Sequence, residues 1–290
     1  MDEIKKILSL CETADDILTD FEKLKKETRF FSEYGLKTCN YFFLYYRLLC
    51  KGNKGYNFLD LYYNKDNTLE SNYIQQYQFY LVNKKINLEK NFIKKIFELY
   101  FGMPQNFRPS IAKYIYEKYK PSHICDPCAG WGGRCLSAMT LNINYTGFDT
   151  NIELKEPYDK MNHFIPHSCN VKIIFEDSST FDFSTLPEYD MIFTSPPYWK
   201  QKSKIPVEEY NNMPKYKSAD DFYNNFLLKM IKNTWRHLKK EGFAIFNLPE
   251  YMLKYAIQIM GQPCEEIPLK IMKNKRNAKY EEKIYVWKKL

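Results

Sequence analysis

The run Asp126-Pro127-Cys128-Ala129-Gly130-Trp131-Gly132-Gly133-Arg134 restricts the fold of this chain more than any other stretch. It follows the apolar His123-Ile124-Cys125 and leads into Cys135-Leu136-Ser137-Ala138-Met139, whose small and apolar residues suit a helix lying on a sheet. A strand, a glycine-rich turn and a helix in that order make the first half of a βαβ unit. Chains built from such units fold as parallel sheets covered by helices. Glycines belong where a backbone turns tightly and a ligand comes close, and the free N–H groups that open the next helix favour the ligand's anionic part.

The downstream sequence repeats the alternation. Tyr145-Thr146-Gly147-Phe148-Asp149 reads as a second strand ending in an acid about 20 residues on, where a Rossmann-like site binds ribose hydroxyls. Residues 151–163 have helical spacing, and Val171-Lys172-Ile173-Ile174-Phe175 is a third strand leading to Glu176-Asp177-Ser178. Tyr189-Asp190-Met191-Ile192-Phe193 is a fourth, with the apolar, β-rich character of a buried parallel strand. A helix over 220–238, a turn at Glu241-Gly242 and a fifth strand, Phe243-Ala244-Ile245-Phe246-Asn247, follow. Strand-like runs at 266–272 and 283–288 complete the sheet as a carboxyl-terminal hairpin. The expected class is α/β, mostly parallel.

Upstream, the character changes. Ile4, Ile7, Leu8, Ile17, Leu18, Phe21 and Leu24 fall at helical spacings, with a break near Glu12-Thr13. Phe42-Phe43-Leu44-Tyr45-Tyr46 with Leu48-Leu49 reads as a buried helix, residues 51–56 and 64–72 as loops, and 73–100 as mainly helical. Gly102-Met103-Pro104-Gln105 marks a junction, after which Phe107-Arg108-Pro109-Ser110 opens a helix through Tyr119, with Pro109 tolerated in its first turn. This divides the chain into a helical amino-terminal lobe, residues 1–103, and an α/β domain, residues 104–290.

At the end of the fourth strand stands Thr194-Ser195-Pro196-Pro197-Tyr198-Trp199. Ligands bind at the carboxyl ends of strands in open α/β sheets, and two prolines there remove two backbone donors and leave a rigid rim of carbonyls. A serine, a proline carbonyl and a tyrosine ring suit gripping a planar base by its exocyclic amine and stacking on its face. The bland alternative is a Pro-Pro turn that simply ends a strand.

Together the two stretches resemble the S-adenosylmethionine-dependent DNA amino-methyltransferases, over residues 105–290. In that family the tetrapeptide (Asp/Asn/Ser)-Pro-Pro-(Tyr/Phe) is catalytic, which implies that role for Ser195, Pro196, Pro197 and Tyr198. The resemblance implies a Rossmann-like methyltransferase sheet and S-adenosylmethionine as cofactor. It places the cofactor against Asp126, Cys128, Ala129, Gly130, Trp131 and Gly132 of the glycine-rich loop, Asp149 at the ribose and Asp177 at the adenine amine. A Phe-x-Pro segment lines the methionine end in the family, and Phe107, Arg108 and Pro109 fit it; an ordinary capped helix start fits them equally, and Asp177 also fits a turn cap.

The substrate implied is a base flipped out of duplex DNA, with N4 of cytosine favoured over N6 of adenine because Ser opens the tetrapeptide. Trp199 either joins the stack on that base or packs beneath the loop. For the recognition domain that the family usually carries after the catalytic half, this sequence offers only the 200–217 loop and a short tail, and the helical amino-terminal lobe is the candidate substitute. RNA or protein amino-methylation, and a catalytically silent partner subunit, are the rival readings.

Lys plus Arg number 43 against 35 for Asp plus Glu, a formal charge of +8 that favours a polyanionic partner. Residues 200–217 form a basic, proline-interrupted loop in which Lys202, Lys204, Lys215 and Lys217 are candidate phosphate contacts. Lys273, Lys275 and Arg276 of the hairpin loop are either further contacts or a solvated tip. The many tyrosines and phenylalanines fit an AT-rich coding sequence better than a stacking surface. The eight cysteines show no disulfide framework and no leader pattern precedes them, so a reducing, intracellular setting is expected. Cys125-x-x-Cys128 has ligand spacing but no second pair, and the four histidines make no motif, so no metal is expected. The longest apolar run, 41–50, is half a bilayer span and contains Arg47, so no membrane association is expected.

Overall fold

The computed structural model describes residues 13–51, 57–58, 104–199, 216–269 and 282–290. In chain order the described elements are α1 (Ala14–Lys26), α2 (Leu36–Leu49), α3 (Pro109–Tyr119), β1 (His123–Asp126), α4 (Gly133–Thr140), β2 (Asn144–Phe148), α5 (Lys155–Phe164), β3 (Val171–Ile174) and β4 (Tyr189–Thr194). A helix then begins as α6 (Ala219–Phe222), widens to a π turn (Tyr223–Leu227) and continues as α7 (Leu228–His237). β5 (Leu238–Pro249), α8 (Glu250–Met260), β6 (Glu265–Pro268) and β7 (Glu282–Lys288) complete the chain.

The strands form one sheet in the order β3-β2-β1-β4-β5-β7-β6. β1 to β5 are parallel; β7 lies antiparallel between β5 and β6. This is the strand order of the Rossmann-like methyltransferase sheet, carboxyl-terminal hairpin included. Because the chain builds β2 and β3 on one side of β1 and then returns to add β4 and β5 on the other, the order reverses between β1 and β4. That switch point opens a crevice outside the carboxyl ends of the strands.

Side chains alternate across the strands, so the sheet feeds two apolar cores. Ile124, Tyr145, Met191, Phe193, Ile245 and Val286 face one side, with Ile17, Phe21, Phe43, Ile115, Leu136 and Tyr158 from the helices. Cys125, Phe148, Ile192, Ala244, Phe246 and Trp287 face the other, against Tyr223, Leu227, Met230, Ile231 and Met252.

α1 and α2 belong to the first of these cores. Thr13 and Asp16 form a capping box that starts α1, and Ile17, Phe21 and Leu24 give it one buried stripe. Asp20 then accepts both the backbone N–H and the hydroxyl of Thr38 at 2.9 Å, joining α1 to α2 in a buried position. Within α2, the Arg47 guanidinium donates twice to the Pro104 carbonyl (3.0 and 2.9 Å), where the chain enters the α/β region. The change of sequence character near 103 thus does not separate two cores among the described residues. The predicted helix over 73–100 lies outside them.

Three elements differ from the sequence expectation. The expected turn at Glu241-Gly242 is a bulge inside β5: Tyr189 pairs with Leu238 and Met191 already with Phe243, and Glu241 takes up the slack at φ 63°. The expected continuous helix over 220–238 contains the π turn. α8, which the sequence reading left unassigned, buries Met252, Tyr255 and Ala256 against the second core.

Phe43 is the contact through which α2 reaches the glycine-rich loop, its ring 4.8 Å from that of Tyr158. Phe43→Ala should cost about 3–5 kcal/mol. In urea, the circular dichroism of the helices and the tryptophan fluorescence of the sheet should shift together; an early, separate loss of helix would mean that α1 and α2 unfold on their own.

Candidate active site

Asp126, at the end of β1, is fully buried and anchors the loop that follows it. The Arg134 Nε donates to its Oδ2 at 2.6 Å, the Tyr145 hydroxyl donates to the same oxygen at 2.5 Å, and the Cys128 N–H donates to Oδ1 at 3.2 Å. Arg134 also donates to the Cys128 carbonyl and lies over the Phe107 ring, 5.1 Å from its centre. The loop closes on itself between the two ends of this pair.

Two glycines make that closure possible. Gly132 sits at φ 77°, and a Cβ there would lie 2.5 Å from the Phe43 ring; a Cβ on Gly133 would lie 2.1 Å from the Phe107 carbonyl. The loop is therefore clamped between α2 and the 105–108 segment. Tyr158 holds it from below, accepting from the Gly132 N–H at 3.2 Å and donating to the Gly130 carbonyl at 3.0 Å.

A cleft of about 420 Å³ opens in front of this loop. Its first wall is Cys128, Ala129, Gly130 and Trp131 with Phe107 and Arg108; its floor carries Asp149, Asp177 and Ser178 from the ends of β2 and β3; its far wall is Ser195, Pro196, Pro197 and Tyr198 with Asn247 and Glu282. Asp149 accepts from the Gly130 N–H at 3.0 Å and from the Asn151 N–H at 2.9 Å. Burial beneath the loop nevertheless pushes its carboxyl up to about 6, because two backbone donors only partly replace the lost water. Asp177 takes the Ser179 N–H and hydroxyl (2.9 and 2.7 Å) on Oδ1, and Ser178 donates to the Pro127 carbonyl at 2.8 Å. Burial likewise pushes the Cys128 thiol up, so it lines the cleft as a neutral group.

On the far wall, Ser195 Oγ and the Tyr198 hydroxyl are 3.0 Å apart. The Asn247 amide nitrogen reaches both, at 3.2 and 2.9 Å, and also donates to Glu282 Oε1 at 2.6 Å. Tyr198 donates to the same carboxylate oxygen at 2.7 Å.

Most of the described residues singled out in the sequence converge on this one cleft, but five do not line it. Asp126 is enclosed by its ion pair and acts on the loop rather than on a ligand. Pro109 is buried in the first turn of α3, where its carbonyl accepts from Ser137 at 2.7 Å. Gly132 is covered by Phe43. Trp199 is 3% exposed and packs in the second core beside Phe222, which withdraws its ring from any stack in the cleft. Lys217 is exposed and outside the cleft wall, while Lys202, Lys204, Lys215, Lys273, Lys275 and Arg276 lie outside the described residues.

The sequence reading missed Asn247 and Glu282. A polar residue ending an otherwise apolar strand, as Asn247 does, is a usable signal; nothing local distinguishes Glu282, which arrives by antiparallel pairing of β7 with β5. The helix after the 200–215 segment was also not read as lining the site, yet Phe222 and Phe226, stacked at 5.2 Å, do so. Among the described residues no group of three or more His, Cys, Asp or Glu is placed to hold a metal, and no described helix is long and apolar enough to cross a membrane.

No protein-family model matches the chain and no curated protein sequence matches it. Solved structures with a similar arrangement include NSun6 from Pyrococcus horikoshii with SFG, at 15% identity and a TM-score of 0.45 over 69% of this chain and 56% of that one. TrmN from Thermus thermophilus matches at 13% identity and a TM-score of 0.42, covering 63% of this chain and 49% of that one. The T. thermophilus 16S rRNA methyltransferase RsmC, in complex with AdoMet and guanosine, matches at 13% and 0.41, covering 64% and 44%. The chain thus spans about half the length of TrmN. The fold assignment rests on the strand order and register.

Replacing Arg134 by Met would strand the Asp126 carboxylate in the core without its cation. We expect a loss of about 3–5 kcal/mol in urea denaturation, with Asp126→Asn combined with Arg134→Met costing less than the single change. Additive losses would show that the two side chains are not coupled.

Proposed function

We propose that this chain transfers a methyl group from S-adenosylmethionine to the exocyclic amine of a base flipped out of DNA, with N4 of cytosine as the acceptor. The observation that carries the reading is that Ser195-Pro196-Pro197-Tyr198 shares one cleft with the glycine-rich loop, Asp149 and Asp177.

The residues present fit the cofactor. Asp149 offers a carboxylate suited to ribose hydroxyls, Asp177 and Ser178 offer acceptors for an adenine amine, the loop from Cys128 to Trp131 supplies close backbone, and Phe107 and Arg108 border the methionine end. When bound, S-adenosylmethionine supplies an electrophilic methyl group on a sulfonium.

The chain's own contribution is to make a poor nucleophile competent. An exocyclic amine delocalises its lone pair into the ring; accepting its two N–H groups at Ser195 Oγ and the Pro196 carbonyl draws the nitrogen toward tetrahedral geometry. Proline offers only a carbonyl, so this half of the grip cannot be lost to a competing donor. Flipping the base costs a few kcal/mol, offset in part by stacking on the Tyr198 ring, whose hydroxyl is pinned by Glu282 and Asn247. The net charge of +8 supports a nucleic-acid substrate. Ser in the first position of the tetrapeptide supports cytosine.

Digestion of treated DNA to nucleosides followed by mass spectrometry should yield N4-methylcytosine, and Ser195→Ala should retain cofactor binding while losing turnover. N6-methyladenine, or label in RNA or protein instead, would move the acceptor; a fully active Ser195→Ala would remove the mechanism. Asp149→Ala should weaken S-adenosylmethionine binding by about 1.5–3 kcal/mol in calorimetry.

Binding should also depend on pH through Asp149. With its carboxyl at about 6, the charged acceptor is present above that pH and is lost as pH falls through it, so affinity should drop between pH 7.5 and 5. The same raised value means that the ligand-free protein gains stability from protonating Asp149 at low pH and loses it as pH rises through about 6. An affinity flat across that range would place the ribose elsewhere.

A further inference from the structure

The far wall of the cleft contains a hydrogen-bond chain whose direction is fixed at one end. Glu282, when ionised, can only accept; a tyrosine hydroxyl has one proton to give; a serine hydroxyl has one proton and two lone pairs. The Tyr198 hydroxyl is 2.7 Å from Glu282 Oε1 and 3.2 Å from the Asn247 backbone carbonyl, and the shorter, charge-assisted bond claims its proton. Tyr198 must therefore accept along the 3.0 Å contact with Ser195, and the Ser195 proton points at Tyr198.

Asn247 reinforces the same polarity. Its Nδ2 is 2.6 Å from Glu282 Oε1, so the reverse orientation would set an amide oxygen against a carboxylate oxygen. The fold keeps Nδ2 there although Oδ1, on a side chain only 3% exposed, is left buried without a partner. The amide protons go to Glu282 and toward Tyr198 and Ser195.

We infer that Glu282, through Tyr198 and with Asn247, is the positioning residue that makes Ser195 present a lone pair, not a proton, to the substrate amine. The inference rests on the functional reading above, since only an N–H substrate needs an acceptor at Ser195. In this role Glu282 acts by setting which way two hydroxyls point. A glutamine in its place has nearly the same shape but can donate to Tyr198, which lets Tyr198 donate to Ser195 and turns the Ser195 proton toward the substrate.

Three variants and two readouts test this. With labelled S-adenosylmethionine and a duplex oligonucleotide, Glu282→Gln should lower kcat about 100-fold while KM for S-adenosylmethionine stays within about twofold. Tyr198→Phe should lose a similar factor, and the double variant should be no slower than either, because both break one chain. Independently of any substrate, the Tyr198 ¹³Cζ resonance, assigned as the one missing from Tyr198→Phe, should move upfield in Glu282→Gln. Wild-type kcat in Glu282→Gln, or losses that multiply in the double variant, would overturn the inference, as would an unmoved resonance. A wild-type protein that methylates no nucleic acid would instead fail the functional reading, and the resonance would still decide the direction of the chain.

Discussion

The buried pair between Asp126 and Arg134 is the interaction on which the rest of the site depends. A carboxylate with no exposed surface at the end of a central strand is tolerable only if a cation and further donors surround it, and Arg134, Tyr145 and the Cys128 N–H do so. Those three partners come from the start of α4, from β2 and from the loop itself. One charge thereby fixes the strand, its neighbour and the turn between them. A neutral residue at 126 would pack as well but would leave the loop without a reason to close.

Once the loop is closed, its position is relayed outward. Gly130 meets Asp149, Gly132 meets Phe43 and Tyr158, and Gly133 meets the Phe107 carbonyl. The amino-terminal helices are therefore part of the site's scaffold: α2 covers the outer side of the loop whose inner side lines the cleft. Pro104, held by Arg47, marks where the chain leaves this cover and enters the wall segment 105–108.

The cleft is asymmetric in its chemistry. The side toward β2 and β3 carries carboxylates, one of which, Asp149, is raised by burial to about 6. The side toward β4, β5 and β7 carries the Ser195 hydroxyl and the Pro196 carbonyl, with one carboxylate, Glu282, bonded to Tyr198 and Asn247 in the same wall. An acid suits hydroxyls, which donate; a hydroxyl steered into an accepting role suits an amine, which also donates but must keep its lone pair free. Such unpaid costs as the raised Asp149 and the buried Asn247 oxygen concentrate at functional sites, where stability is sacrificed to hold a group in a useful state.

How much of this was legible in the sequence follows from how far each feature reaches along the chain. The strands, the glycine turn and the Pro-Pro rim are local: apolar runs of strand length, φ-permissive glycines and N–H-free prolines act over a few neighbours, so α1, β1 to β4 and the cleft position at their carboxyl ends can be read directly. The bulge in β5 and the π turn before α7 are decided by register against β4 and by packing, and short-range pattern blurs both. Asp126 has the right residue type for a ligand, but only the tertiary structure shows it enclosed by Arg134 and Tyr145. Trp199 follows the motif in sequence yet is drawn into the second core, where an indole buries more apolar surface than it would at the rim. Asn247 and Glu282 are 35 residues apart and meet Ser195 and Tyr198 only because β7 pairs antiparallel to β5. The sequence by itself determined the sheet, the loop and the place of the tetrapeptide at the strand end; the pairing of distant strands decided which groups stand beside it, because hydrogen-bond direction is set by partners that no local pattern brings together.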